Sequence, residues 1–104
     1  MKTVLVIFSQ GPLAGQNLLE ALSATLVLAT FGLDIKVCFK DDAIQLLKQP
    51  NDHLAAQSSF KSAYRIIESF EFYDLFPILV TTKLDNQIDV LKNTTLEYEQ
   101  VTLD

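Results

Sequence analysis

The sequence predicts an α/β protein, with a three-layer α/β/α arrangement around a mostly parallel sheet of four to five strands. Three observations predict it. Val4-Leu5-Val6-Ile7-Phe8 is an unbroken apolar run, β-branched and aromatic enough for a strand buried on both faces. Ser9-Gln10-Gly11-Pro12 breaks that run, and Ala14-Gly15-Gln16-Asn17 leads into a long helical stretch ending near Phe31-Gly32. A buried strand, a Gly/Pro turn and a long helix form the opening half of a βαβ unit. Further strand-like and helical stretches then alternate, which favours parallel strands joined by right-handed crossovers.

The first helix carries a single charge between Leu18 and Leu33, at Glu20. Its apolar side chains point in nearly every direction, whereas a helix on a sheet needs one apolar stripe. Leu22, Leu26 and Ala29 are therefore expected to divide between sheet contact and contact with another subunit. Gly32 stops the helix, and Asp34 to Phe39 is the second strand, partly alternating and expected to be less deeply buried than the first. Lys40-Asp41-Asp42 ends it, with Asp41 or Asp42 as N-cap of a short helix from Ala43 to Lys48. Gln49 to His53 reads as a loop. Ser58 then caps a third helix with Phe60, Ala63, Tyr64, Ile67 and Phe70 at helical spacing, closed by Phe72-Tyr73-Asp74. Phe76 to Thr81 is the third strand, with Pro77 at its start, where a missing N–H is tolerated. Beyond Thr82 two readings stand: a short helix capped by Asp85 and running through Leu91 with a strand from Leu96 to Leu103, or a strand at Ile88 to Leu91 followed by a helical turn and a terminal strand.

A chain of 104 residues forms one small domain, and 49% apolar against 20% charged residues is the composition of a folded protein. A formal net charge of −5 with only eight Lys and Arg disfavours direct nucleic-acid binding, which needs clustered cations. The single cysteine excludes an internal disulfide and fits a reducing compartment. The apolar stretches are too short and too interrupted for a signal peptide or a membrane span, so a cytoplasmic location is expected.

Ligands of parallel sheets gather at the carboxyl ends of the strands. Ser9, Gln10, Gly11, Gly15, Lys40 and Asp41 are accordingly expected to line one shallow depression there. The nucleotide motifs are absent. Gly11 and Gly15 do not make G-x-G-x-x-G, Gly15-Gln16-Asn17 is not the end of a P-loop, and Phe8-Ser9 stands where a phosphoacceptor aspartate would be. No cofactor is implied. His53 has no companion at metal-ligand spacing, so no metal site is implied either. Cys38, flanked by Val37 and Phe39, reads as a small buried hydrophobe. Its alternative is a reactive thiol, because Lys36 and Lys40 share its strand face.

Three blocks carry a resemblance. The first is Phe8-Ser9-Gln10-Gly11-Pro12 with Ala14-Gly15 and Leu19-Glu20-Ala21-Leu22-Ser23-Ala24. The second is Val37-Cys38-Phe39-Lys40-Asp41-Asp42-Ala43-Ile44-Gln45-Leu46-Leu47, and the third runs from Ser59-Phe60-Lys61 to Tyr73-Asp74. In order and spacing, across roughly residues 4 to 82, they resemble the DsrE/DsrF family, most of all its TusC/DsrF branch. Asp41-Asp42 replaces that family's usual Asp-Gly, the loop after Ser9 is shorter, and the tail from Lys83 does not align.

The resemblance implies a flavodoxin-like α/β/α domain in a sulfur-relay complex, a heterohexamer of three related chains called TusB, TusC and TusD or DsrH, DsrF and DsrE. Such complexes pass persulfide sulfur between carrier proteins, in the Tus system towards 2-thiouridine of tRNA. The family's sulfur-carrying cysteine belongs to the TusD/DsrE chain, after the second βα unit. The matching region here, Gln49 to Ser59, holds no cysteine. The expectation is a non-catalytic subunit, with related small chains and sulfur carriers as partners. The alternatives are a self-sufficient thiol carrier using Cys38, and a homo-oligomeric module binding a small anion at Ser9 to Gly15.

Overall fold

The computed structural model describes residues 3–11, 16–48 and 58–102, with the backbone alone at 58–61. Along the chain these residues form β1 (Thr3–Phe8), α1 (Gln16–Thr30), β2 (Asp34–Lys40), a 3-10 segment (Asp41–Leu47) and α2 (Ser58–Ser69). A 3-10 turn (Phe70–Tyr73), β3 (Ile78–Thr81), α3 (Asp85–Asn93) and β4 (Tyr98–Gln100) complete them. The four strands form one all-parallel sheet in the order β1-β2-β3-β4. The α/β class, the parallel sheet and the strand number are those expected from the sequence, and the sheet is compatible with a three-layer α/β/α arrangement. No helix among the described residues is long and apolar enough to cross a membrane.

The register defines the two faces of the sheet. Val4, Val6 and Phe8 stand opposite Ile35, Val37 and Phe39, and Phe39 stands opposite Val80. This face holds the core, joined by Leu18 and Leu22 of α1, Ala63, Tyr64 and Ile67 of α2, and Leu91 of α3. Phe8 and Phe39 stack across it with ring centroids 5.4 Å apart. The helical elements pack on one another as a connected set: α1 against α2 and the 3-10 turn, and the 3-10 segment against α2 and α3. The other face carries Thr3, Leu5 and Ile7 of β1, Lys36 and Cys38 of β2, and Leu79 of β3.

Several local expectations change. β1 is not buried on both faces of this chain, because Leu5 is 46% and Ile7 47% exposed. β2 is the more buried strand, with Ile35, Val37, Cys38 and Phe39 inside, because neighbours flank it on both sides whereas β1 is an edge. The short helix after β2 is a 3-10 segment starting at Asp41, and no side chain caps it. Asp41 instead turns the chain in the left-handed region (φ 52°), which aspartate tolerates better than most residues. α2 runs into the 3-10 turn, and Asp74 (φ 59°) ends it as a left-handed C-cap. β3 begins one residue after Pro77. The tail takes the first of its two readings, helix then strand, with Leu84 rather than Asp85 at the cap position.

Candidate functional site

At the carboxyl ends of the strands, three connections converge. Beyond β1 the chain passes close to the end of β2: a Cβ added at Gly11 would stand 2.8 Å from the backbone oxygen of Asp42. Only glycine permits that approach. Gln87, in the first turn of α3 and only 6% exposed, then ties β2 to β3. Its Oε1 accepts hydrogen bonds from the backbone N–H of Lys83 (2.8 Å) and Leu84 (3.2 Å), while its Nε2 donates to the backbone oxygen of Asp41 (3.2 Å). Gln87 thus satisfies two donors at the helix start and one acceptor at the turn. Sequence reasoning did not single it out, although a Gln at the third helical position is the pattern of a capping box.

Of the residues expected in a depression, Ser9, Gln10 and Gly11 follow the end of β1, and Lys40 and Asp41 stand at the end of the neighbouring β2. Gly15, like His53, lies outside the described residues. Ser9, Gln10 and Asp41 are exposed, and Lys40 Nζ lies 3.8 Å from Asp41 Oδ2 in a solvent-facing pair. Such a pair contributes little to stability, and it leaves this corner with almost no free positive charge. Two cavities of the structure lie elsewhere. One of about 460 Å³ sits between the 3-10 segment and α3, lined by Gln45, Lys48, Asn86 and Asp89 among others. The other, of about 390 Å³, lies beyond β3 and β4, where Thr81, Thr82, Lys83 and Gln100 line it.

Topology bears on what this edge can bind. Doubly wound sheets open a crevice where the strand order reverses and neighbouring loops part to opposite sides. The order β1-β2-β3-β4 contains no reversal. Among the described residues, no three His, Cys, Asp or Glu side chains cluster with the geometry to hold a metal ion.

Cys38 occupies the middle of the sheet's second face, between Ile7 of β1 and Leu79 of β3 in register, with Lys36 and Lys40 two residues away on its own strand. Its exposure is 0%. Burial pushes the thiol pKa up, and the Lys40 ammonium only partly opposes this. A buried thiol whose pKa is pushed up is a poor nucleophile and a poor landing site for sulfur.

The residues expected at a subunit contact fall otherwise than their names suggested. Leu22 is fully buried, and Leu26 and Ala29 pack against the core. Spacings of four and three residues put all three on one helical face, and that face is the one turned to the core. Thr25 joins them there, its hydroxyl donating to the backbone oxygen of Ala21 at 2.9 Å. The side of α1 turned outward carries Ala24 and Val27, Val27 being 53% exposed, and Phe31 in the turn just after the helix is 71% exposed. No protein-family model and no curated protein matches this chain.

Proposed function

We propose that this chain is a non-catalytic subunit of a hetero-oligomeric complex, and that the complex relays persulfide sulfur, as the resemblance to the DsrE/DsrF family implies. The observation that carries the subunit reading is the open second face of the parallel sheet. Parallel sheets are characteristically covered on both faces, yet Leu5 and Ile7 stand nearly half exposed on this one. The outward apolar side chains of α1 point the same way, since large exposed apolar surface on a small protein marks contact with another molecule.

The buried thiol supports the non-catalytic part. A relay residue must accept and release a sulfur atom at the surface, and Cys38 is 0% exposed, flanked in register by Ile7 and Leu79. It weighs equally against a self-sufficient thiol carrier. On this reading the sulfur-bearing cysteine is supplied by a related chain. The test is a native pull-down with the chain as bait, followed by a sulfur-transfer assay on the recovered assembly. Two related small chains should co-purify, and Cys38→Ala should leave transfer intact. A folded Cys38→Ala variant whose assembly no longer transfers sulfur would overturn the reading, and so would a chain that purifies alone.

A further inference from the structure

The two edges of the sheet are built differently. β4 closes one side with three residues, Tyr98–Gln100, preceded by Glu97 and carrying Glu99. Short, charged edge strands are a common defence against pairing with another chain. β1 closes the other side with six residues in unbroken register with β2, none of them charged and none Pro or Gly. Among the described residues no strand lies along its outer side. Val4 and Val6, although on the core face, are only half-buried, and Leu5 and Ile7 on the opposite face are 46% and 47% exposed. A long, regular, apolar edge of this kind is a template for strand addition.

We propose that β1 is a homodimer interface, in which two copies pair their first strands antiparallel about a two-fold axis at Val6. The two four-stranded sheets then become one of eight strands. The occupant is argued from what the edge demands. A strand added beside β1 must be apolar on both faces, since it meets Leu5 and Ile7 on one and Val4, Val6 and Phe8 on the other. β1 meets that demand itself. β2 and β4 carry charges, and β3 is already flanked on both sides. Side chains stay on matching faces only when paired positions differ by an even number. Centred on Val6, Leu5 faces Ile7 of the second copy, an aliphatic of equal size, and Val4 faces Phe8. Although each chain carries a net charge of −5, this pairing sets no charged side chain directly opposite another. An isologous contact of this form is the commonest route to a dimer.

Sedimentation equilibrium of the purified full chain tests it, with twice 11.7 kDa expected. Leu5→Lys combined with Ile7→Lys sets like charges opposite each other at two places and should weaken the dimer by roughly tenfold or more. Leu5→Lys combined with Ile7→Glu sets opposite charges across the axis and should restore it. Both positions are half exposed, so circular dichroism should match the parent. A monomeric parent chain overturns the proposal, as does a dimer indifferent to the first pair of substitutions or not restored by the second. Should the variants fail to fold, amide exchange in the parent decides: protection of β1 must rise with protein concentration, and its constancy overturns the proposal. The inference rests on strand order, not on sulfur relay, so a pull-down that recovers no related chains leaves it standing.

Discussion

At Cys38 two effects compete. Burial raises the thiol pKa and the neighbouring Lys40 ammonium lowers it, with burial the larger. The folded chain therefore holds this proton more tightly than the unfolded chain does. The resulting stability is fully present below the unfolded thiol's pKa and is lost as pH rises through the folded one. Urea unfolding followed from neutral to alkaline pH should show the parent losing more stability than Cys38→Ala, and parallel profiles would refute it. At Gly11 the constraint is steric. A methyl group 2.8 Å from the Asp42 carbonyl oxygen has no room unless the backbone shifts. Gly11→Ala should cost about 1–3 kcal/mol, the usual range for overpacking, read as a lower urea midpoint at unchanged slope.

Among the elements, α1 and α3 teach different lessons. The composition of α1 marks it as a helix with more apolar surface than one sheet needs, but only its rotation decides which residues are spare. Leu18, Leu22 and Thr25 go inward, and Val27 and Phe31 are left outside. α3 is short and polar, and its attachment depends on one amide. Removing the Gln87 side chain leaves the N–H groups of Lys83 and Leu84 and the carbonyl of Asp41 without that partner. Gln87→Ala should cost about 1–3 kcal/mol, the penalty of buried groups left unsatisfied. Amide exchange at Lys83 and Leu84 should quicken in the same variant, and unchanged exchange would show that the staple is unimportant.

For the whole molecule, strand order governs ligand chemistry. Among the described residues the sheet lacks the reversal of strand order that opens a crevice between diverging loops, and the Lys40–Asp41 pair cancels most of the local charge. Calorimetry of the purified chain against flavin mononucleotide, ATP and NAD should find no dissociation constant near or below about 1 μM, which would require roughly 8 kcal/mol of interaction. Binding that tight would replace the subunit reading with that of a cofactor enzyme.

The sequence by itself determined the class of the fold and the order of its elements, because apolar runs, helical spacing and turn residues are local signals. Val4 to Phe8, the break at Ser9 to Pro12 and the Gly32 stop are legible without neighbours. It also determined that Cys38 lies mid-strand between two apolar residues, which already favoured a buried thiol. Strand order was not legible. A continuous apolar run looks the same at an edge as at the centre, so β1 read as the buried strand and β2 as the shallower one. Tertiary structure alone decided the reverse, since burial depends on which strands lie on either side. The same holds for the strand-end corner. The contact between Gly11 and Asp42 and the bond from Gln87 to Asp41 join segments 31 and 46 residues apart, and no local pattern encodes a partner at that distance.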